Sequence, residues 1–231
     1  MDPDTAARLR AEMVERQLRG RGIRDEAVLA AMAAVPRELF VPSDLAKHAY
    51  GDEALPIEAG QAISQPYIVA QMTELLEPRP GMRVLEVGTG SGYQAAVLAT
   101  IGCRVITIER HAELAATAVA RLGQLGLLDL VRVEVGDGSL GRPDDAPFEG
   151  IVVTAAAPAV PVALRAQLAE GGRLVVPVGS QGLQEMVLVV RHGEDFGEFP
   201  GGACVFVPLV GAGGFGEREA RRWPSFGRLR L

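Results

Sequence analysis

The residues best suited to chemistry lie at the ends of consecutive apolar stretches. Residues 84–92 read Val-Leu-Glu-Val-Gly-Thr-Gly-Ser-Gly, which predicts a buried strand running into a glycine-rich turn. Glycines at the carboxyl end of a strand let a ligand lie against main-chain N–H groups. Glu86 stands within the strand, where a buried carboxylate needs a partner such as a ligand ammonium group. The alternative is an ordinary strand-to-helix turn, because glycine-rich motifs also match by chance.

Two further acids follow the next two predicted strands. Glu109 lies about twenty residues after the glycines, where a carboxylate can accept hydrogen bonds from both ribose hydroxyls. Asp137, in a Gly-Asp-Gly turn, can accept a hydrogen bond from a purine amino group, and Gly138 would leave room for the ring. The plainer interpretations are a solvated acid and a common Asp-Gly turn. Together these residues indicate an adenosine with a charged tail, and they leave NAD and S-adenosylmethionine as alternatives.

Alternating strand and helix patterns must position these residues. Continuous apolar runs are typical of parallel strands buried on both faces. The fold class is therefore predicted as α/β: a doubly wound, mostly parallel, Rossmann-like sheet with an antiparallel C-terminal strand pair and an N-terminal helical extension. Ligands of such sheets bind beyond the carboxyl ends of the strands. The predicted strands cover 83–87, 104–109, 131–135, 150–154, 173–178, 185–190 and 203–207, with helices over 91–101, 112–125 and 160–168 and a glycine-rich loop between the last two strands.

Two helices and an irregular stretch precede the sheet. Residues 5–35 carry a helical pattern that breaks at a glycine, after which Asp25 is placed to cap a second helix that Pro36 stops. Residues 36–63 have no clear period, but their apolar content favours an ordered structure. A long irregular stretch in a compact protein is more often functional than idle.

The next helix is predicted to begin at Ser64-Gln65-Pro66. Serine is a favoured N-cap, and proline is tolerated in the first turn of a helix. The predicted organisation is N-terminal helices and a cleft loop over 1–63, a ligand-binding domain over 64–210, and a loosely ordered tail over 211–231.

The composition excludes several functional classes. A net charge of −6 is unusual for a generic nucleic-acid-binding protein, which is commonly basic. The two cysteines match no metal-binding spacing, so no metal site is expected. The first residues do not resemble a signal peptide, and no apolar stretch is long enough to cross a bilayer. We expect a cytoplasmic protein, with a monomer favoured, that binds neither nucleic acid nor membrane.

The glycine turn resembles the first motif of class I S-adenosylmethionine-dependent methyltransferases. The segment Ala-Leu-Pro-Ile-Glu-Ala-Gly-Gln-Ala-Ile-Ser-Gln-Pro-Tyr at 54–67 then resembles a signature of the protein-L-isoaspartate O-methyltransferases. Four more segments match that family in the same order, so the resemblance covers about residues 10–210. They are 135–138, 153–158, 171–179 and 206–209.

This resemblance implies a reaction. A methyl group would pass from S-adenosylmethionine to the α-carboxylate of an L-isoaspartyl residue in a damaged protein or peptide, leaving S-adenosyl-L-homocysteine. Repair to aspartate would follow through a succinimide. A carboxylate is already ionised at neutral pH, so no general base is needed. Accordingly, the three histidines, His48, His111 and His192, are expected to be structural or exposed.

The resemblance also implies roles for individual residues. Ser64 is implied as the active-site serine, which would orient the substrate carboxylate. The implied cofactor-binding residues include Glu86 before the glycines, the ribose acid and its neighbour, whose backbone would help to hold the adenosine. The whole set is Gln61, Ala62, Ile63, Ser64, Glu86, Gly88, Gly90, Glu109, Arg110, Asp137 and Gly138.

Three positions depart from the family pattern. Many members have threonine where Ala62 stands, and eukaryotic members have histidine and threonine at the positions of Val69 and Val210. Two alternative functions remain open. One is an aspartyl O-methyltransferase dedicated to a single peptide, and the other is a cofactor-binding module without catalysis.

Overall fold

A computed structural model describes residues 1–223. Its α-helices are α1 (Pro3–Glu12), α2 (Glu26–Ala34), α3 (Pro66–Leu76), α4 (Tyr93–Ile101), α5 (Ala112–Gln124), α6 (Val162–Ala166) and α7 (Glu217–Ala220). Its strands are β1 (Leu55–Pro56), β2 (Ala62–Ile63), β3 (Arg83–Val87), β4 (Arg104–Glu109), β5 (Val131–Val135), β6 (Phe148–Val153), β7 (Leu168–Ser180), β8 (Leu183–His192) and β9 (Asp195–Cys204). Among these residues, no helix is long and apolar enough to span a membrane.

The large sheet has the strand order β5-β4-β3-β6-β7-β8-β9. Strands β5, β4, β3, β6 and β7 pair in parallel, and β8 and β9 continue the sheet in antiparallel pairing. The chain moves outward from β3 through β4 to β5 and then returns to β6 on the other side. This reversal between β3 and β6 is the switch point where ligands bind in doubly wound sheets. The predicted fold class is confirmed.

Alternate residues of the central strands enter two separate cores. Val84 of β3 and Val152 of β6 belong to the larger core, which also contains the buried side chains of α1 to α4. Leu85 and Ile151 belong to the smaller core, which α6 covers on the opposite face. Successive strand residues point to opposite faces, so both faces must be covered by other elements. This double coverage explains the continuous apolar runs in the sequence.

The N-terminal helices follow the sequence prediction closely. Helix α1 continues as a π-helical segment over Met13–Leu18 and a 3-10 turn over Arg19–Arg21, and it ends at Gly22 with a φ of 104°. Asp25 caps α2 by accepting hydrogen bonds from two N–H groups of the first turn. The irregular stretch that follows is ordered by short 3-10 turns and the β1–β2 hairpin. These 3-10 turns cover Arg37–Phe40, Ser43–His48 and Glu58–Gly60.

The prediction for the last strand was wrong. Strand β9 begins at Asp195, opposite His192 of β8, so a tight turn joins the two strands where a long glycine-rich loop was expected. Residues 195–202 are a mostly exposed edge strand that contains three glycines and one proline. An edge strand needs neither a continuous apolar run nor every backbone N–H group, so its pattern does not stand out in the sequence. The predicted helix over 160–168 is also shorter, since α6 covers only Val162–Ala166.

Candidate active site

A cavity of about 360 Å³ opens at the carboxyl ends of β3 and β4. The glycine turn forms its floor, and the β1–β2 hairpin forms one wall. Segments after β6 and β9 and residues near the end of the described chain complete it. Its lining includes Ala59–Ser64, Val69, Glu86–Ser91, Tyr93, Gln94, Ile108–His111, Gly136, Gly138, Thr154, Ala155, Val207–Val210, Ala220, Arg221 and Trp223.

The glycine turn has a backbone that side chains would not permit. Gly88 and Gly90 have φ values of 97° and 52°, in the left-handed region that favours glycine. A Cβ at Gly88 would lie 2.5 Å from Thr154 Oγ1. The Thr154 hydroxyl lies 3.1 Å from the carbonyl of Val87 and 2.5 Å from that of Gly88. Thr154 therefore holds the glycine turn against the end of β6. The main chain of the turn faces the cavity.

Glu109 ends β4 and is held in place before any ligand binds. Its carboxylate accepts one hydrogen bond from Gly90 N–H at 2.9 Å and one from His111 N–H at 3.0 Å. A carboxylate can accept about four hydrogen bonds, so these two leave capacity for a pair of ribose hydroxyls. The side chain is buried but lines the cavity. This geometry is compatible with the predicted ribose contact.

Glu86 is fully buried, and neither carboxylate oxygen has a hydrogen-bond partner among residues 1–223. Burial raises the pKa of Glu86 to about 8, and the charge of Glu109 adds to this rise. Thr107 lies opposite Glu86 on β4, and its nearby hydroxyl partly lowers the pKa of Glu86. The Thr107 hydroxyl forms its own hydrogen bond with the Thr89 hydroxyl, at 2.6 Å. A buried acid without a partner is costly to ionise. Because Glu86 lines the cavity, a cationic ligand group would supply the missing partner.

Asp137 does not face the main cavity. Its carboxylate accepts hydrogen bonds from Ser139 N–H at 2.9 Å, from the Ser139 hydroxyl at 2.6 Å and from Ala212 N–H at 2.8 Å. Burial alone would raise the pKa of Asp137, but the hydrogen bonds from Ser139 and Ala212 hold it below its ordinary value. The predicted contact between this carboxylate and a purine amino group therefore has competitors in the protein itself.

Gly138 lines the cavity, and the packing beneath it gives an additional reason for glycine at this position. A Cβ at this position would lie 2.7 Å from Val87 Cγ1 and 3.4 Å from Ile108 Cβ. A side chain would thus collide with the core beneath the turn. Glycine is required here by packing, and the backbone approaches the cavity as a consequence.

Ser64 does not cap α3, so that prediction was wrong. The helix begins at Pro66, Gln65 occupies the N-cap, and no side chain caps the first turn. Gln65 instead donates to the carbonyl of Asp52 at 3.0 Å. The Ser64 hydroxyl has no hydrogen-bond partner among the described residues and lines the cavity. Its hydrogen-bonding capacity is available to a ligand.

The residues just before Ser64 form the hairpin wall. Ile57 N–H donates to the carbonyl of Gln61 at 2.9 Å, which closes the tip between β1 and β2. A Cβ at Gly90 would lie 3.8 Å from Ile57 Cδ1, so the tip packs over the glycine turn. Ala62 and Ile63 follow in β2 and also line the cavity. The hairpin thus brings all four predicted residues, 61–64, to the same cavity as the glycines.

Comparison with known proteins decides the family. The model of the family protein-L-isoaspartate(D-aspartate) O-methyltransferase (PCMT) matches residues 8–214. The chain belongs to this family. A protein-L-isoaspartate O-methyltransferase from Methylorubrum populi is 58% identical over 209 residues, which cover 89% of this chain and 98% of the relative. One from Methanoculleus marisnigri is 51% identical, with 93% and 97% covered.

One solved structure agrees with this family assignment, and a second shares the fold. A protein-L-isoaspartate O-methyltransferase structure is 28% identical, has a TM-score of 0.78, and is matched over 89% of this chain and 67% of its own. A Plasmodium falciparum protein, described as a putative protein-L-isoaspartate O-methyltransferase in complex with S-adenosyl-L-homocysteine, shares the fold. It is 24% identical, with a TM-score of 0.75 and coverage of 87% and 98%.

The family cleft contains residues that sequence reasoning missed. Thr89, Gln94 and Thr154 line it. Thr89 and Thr154 lay in segments that the resemblances had marked, whereas Gln94 lay in none. His111 also lines the cleft, whereas His48 and His192 do not. Tyr93 and Gln94 resemble ordinary helix residues in the sequence, because only the packing of α4 behind the turn brings them to the cleft.

Arg110 follows Glu109, and its side chain turns toward residues late in the chain. It forms an ion pair with Glu217 of α7. The predicted adenosine contact was a backbone contact, and residue 110 does line the cleft. No group of three or more His, Cys, Asp or Glu side chains within residues 1–223 is arranged to hold a metal ion.

Proposed function

We propose that this protein transfers a methyl group from S-adenosylmethionine to the α-carboxylate of L-isoaspartyl residues in damaged proteins and peptides. Membership of the protein-L-isoaspartate O-methyltransferase family supports this reaction. One observation in the cleft carries the proposal furthest. The Ser64 hydroxyl and the buried Glu86 carboxylate share one cavity, and neither group has a hydrogen-bond partner among residues 1–223.

The cleft fits the cofactor through three features of this chain. The orphaned Glu86 carboxylate can pair with the ammonium group of the methionine moiety, and Glu109 can accept hydrogen bonds from the ribose hydroxyls. The main chain at Gly88 and Gly90 permits close approach of the ligand. Bound S-adenosylmethionine supplies an electrophilic methyl group on a sulfonium.

The protein has no need to create the nucleophile. A carboxylate has a reference pKa of about 4 and is ionised at neutral pH. Ser64 can donate one hydrogen bond to a substrate carboxylate and hold it in line with the methyl group. Such placement can contribute on the order of 7–11 kcal/mol to catalysis. The hairpin over 55–63 limits the access of water to two opposite charges that the reaction neutralises.

The product explains the benefit of the reaction. A methyl ester is a better leaving group than the free acid, so the neighbouring backbone nitrogen can close to a succinimide without further help. Hydrolysis of that ring returns part of the material to normal aspartate. We therefore propose a role in the repair of aged proteins. The substrate must be a flexible segment, because the isoaspartyl residue has to enter the cleft.

The test is a methyl-transfer assay with two peptides that differ only in an isoaspartyl or an aspartyl residue. We expect methylation of the isoaspartyl peptide alone, and much slower turnover in the Ser64→Ala variant. Methylation of neither peptide by a protein that binds S-adenosylmethionine would contradict the proposal and favour a dedicated substrate or an inactive module. Wild-type turnover in Ser64→Ala would remove the role of the serine.

A further inference from the structure

Residues 211–223, here called the C-terminal strap, are docked on the turn that follows β5. Ala212 N–H donates to Asp137 Oδ2 at 2.8 Å, and Gly213 N–H donates to Ser139 Oγ at 2.8 Å. The two acceptors belong to the Gly-Asp-Gly-Ser turn whose glycines line the cofactor cleft. One end of the strap is therefore fixed beside the cleft by specific hydrogen bonds.

The rest of the strap crosses the carboxyl edge of the sheet. In its middle, Glu217 of α7 forms the ion pair with Arg110 at the end of β4. At its far end, Gln181 in the turn between β7 and β8 donates to the carbonyl of Arg222 at 3.1 Å. These contacts carry the strap from β5, past β4, to the opposite side of the cleft.

The glycines of the strap fit tightly against their neighbours. A Cβ at Gly211 would lie 2.1 Å from Asp137 Oδ1, and a Cβ at Gly214 would lie 2.2 Å from the carbonyl oxygen of Leu209. Side chains at these two positions would displace the strap, because a Cβ atom cannot lie so close to another heavy atom. The strap is thus a fitted part of the fold, so the expected loose order of the tail is wrong for residues 211–223. Residues 224–231 of that predicted tail lie outside the described residues.

The strap also lines the cofactor cleft. Ala220, Arg221 and Trp223 contribute to the cavity wall. Trp223 packs edge-to-face on Phe215, with ring centroids 5.0 Å apart, and contacts the larger core. Residues 215–223 lie outside the part of the chain that the family model matches, so family membership assigns them no role.

We propose that the C-terminal strap is the outer wall of the S-adenosylmethionine cleft and that Arg110 and Asp137 are positioning residues that hold it there. The Arg110 guanidinium pairs with Glu217 of the strap, and the Asp137 carboxylate accepts a hydrogen bond from Ala212 of the strap. Both groups therefore act on the cofactor through the strap. Closure of the strap reduces the exposure of the bound cofactor to water. This role of the strap affects cofactor binding and does not depend on the peptide substrate.

The first test measures the Kd of S-adenosyl-L-homocysteine by calorimetry in the full-length chain without peptide. Glu217→Gln breaks the ion pair with Arg110, and a partly exposed pair is worth about a two- to fivefold change in Kd. Glu113→Gln is the matched control, because Glu113 is an exposed acid at the start of α5 whose side chain has no hydrogen bond or ion pair within residues 1–223. Equal Kd values for the two variants would overturn the proposal.

A charge exchange separates the strap from a direct contact. Arg110→Glu alone should weaken binding, and Arg110→Glu with Glu217→Arg should restore the Kd to within about twofold of wild type, because the ion pair is rebuilt. Failure of the exchange to restore binding, in a protein whose ligand-free melting temperature is unchanged, would overturn the positioning role of Arg110.

The chain itself provides a direct reporter, because Trp223 is its single tryptophan. S-adenosyl-L-homocysteine should change the emission of Trp223 and protect it from acrylamide quenching, and this protection should be smaller in Glu217→Gln than in Glu113→Gln. If saturating S-adenosyl-L-homocysteine changes neither the emission of Trp223 nor its quenching by acrylamide, the strap does not cover the cofactor. The methyl-transfer assay with peptides fails or succeeds independently of this result.

Discussion

Ligand binding should release a proton from Glu86. In the free protein the burial of this side chain raises its pKa to about 8, so the carboxyl group is mostly protonated at pH 7. Pairing with the ammonium group of S-adenosyl-L-homocysteine requires the ionised form. A group with a pKa of about 8 is about one-eleventh ionised at pH 7 and about three-quarters ionised at pH 8.5. The affinity should therefore rise about eightfold between these two pH values.

The same values set the number of protons released. At pH 7 about 0.9 proton should leave Glu86 for each ligand bound. Calorimetry in buffers with different ionisation enthalpies measures this number directly. Glu86→Gln is the matched control, because the amide keeps the shape of the protonated acid but cannot ionise. Titration of the free ligand is the same in both experiments, so the difference between wild type and variant reports on Glu86 together with the ammonium group that it pairs with.

Release of the same number of protons by wild type and Glu86→Gln, with the same pH dependence of Kd, would refute the pairing of Glu86 with the ligand. That result would mean that Glu86 does not ionise when the ligand binds. A loss of binding in Glu86→Gln at all pH values, with wild type showing the predicted proton release, would agree with the pairing. The ligand-free melting temperature of the variant reports whether its fold is intact.

The remaining predictions concern stability and packing. The stability of the free protein should fall as pH rises from about 4.5 toward about 8, since folded Glu86 keeps a proton that the unfolded chain has lost; thermal unfolding should show a smaller fall in Glu86→Gln. Ser64→Ala should leave the melting temperature unchanged and should lower turnover about tenfold to a hundredfold, far more than it changes the Kd of S-adenosyl-L-homocysteine. A lower melting temperature would contradict the absence of a capping role. Gly138→Ala should cost about 1–3 kcal/mol of unfolding free energy by denaturant titration, because its Cβ overlaps the core, whereas Gly136→Ala, with its nearest neighbour at 3.9 Å, should cost less. Gly211→Ala should weaken ligand binding more than loss of the strap ion pair does, because its Cβ would lie 2.1 Å from an anchoring carboxylate oxygen; equal binding to wild type would count against the strap.

Much of the fold could be predicted because its signals are local. Strands β3, β4 and β5 match their predicted bounds, since strands buried on both faces need uninterrupted apolar residues. Helix caps such as Asp25 are equally local, because the capping bond spans only a few residues. Strand β9 was missed for the converse reason. An exposed edge strand buries little, so its residues carry no clear apolar pattern.

Some residues of the candidate site also have local sequence signals, and others do not. Glu86, Glu109 and the glycine turn could be predicted, because strand ends and turn chemistry place them on one sheet edge. Ser64 was identified by family resemblance, but its capping role was wrong. Helix α3 begins at Pro66, two residues after Ser64, and proline has no backbone N–H group that a cap would have to satisfy. The sequence pattern could not reveal which of two local roles the hydroxyl would have.

The sequence by itself determined the order of strands and helices, the glycine turn and the acids that face the cofactor cleft, because these depend on residues that are neighbours along the chain. Only the tertiary structure decided what Asp137 and Arg110 contact. Both meet a strap that lies 75 residues or more further along the chain. Contacts over such distances depend on how all the intervening elements pack, and no local pattern records them. Which groups the Asp137 carboxylate contacts within the protein was therefore decided by folding.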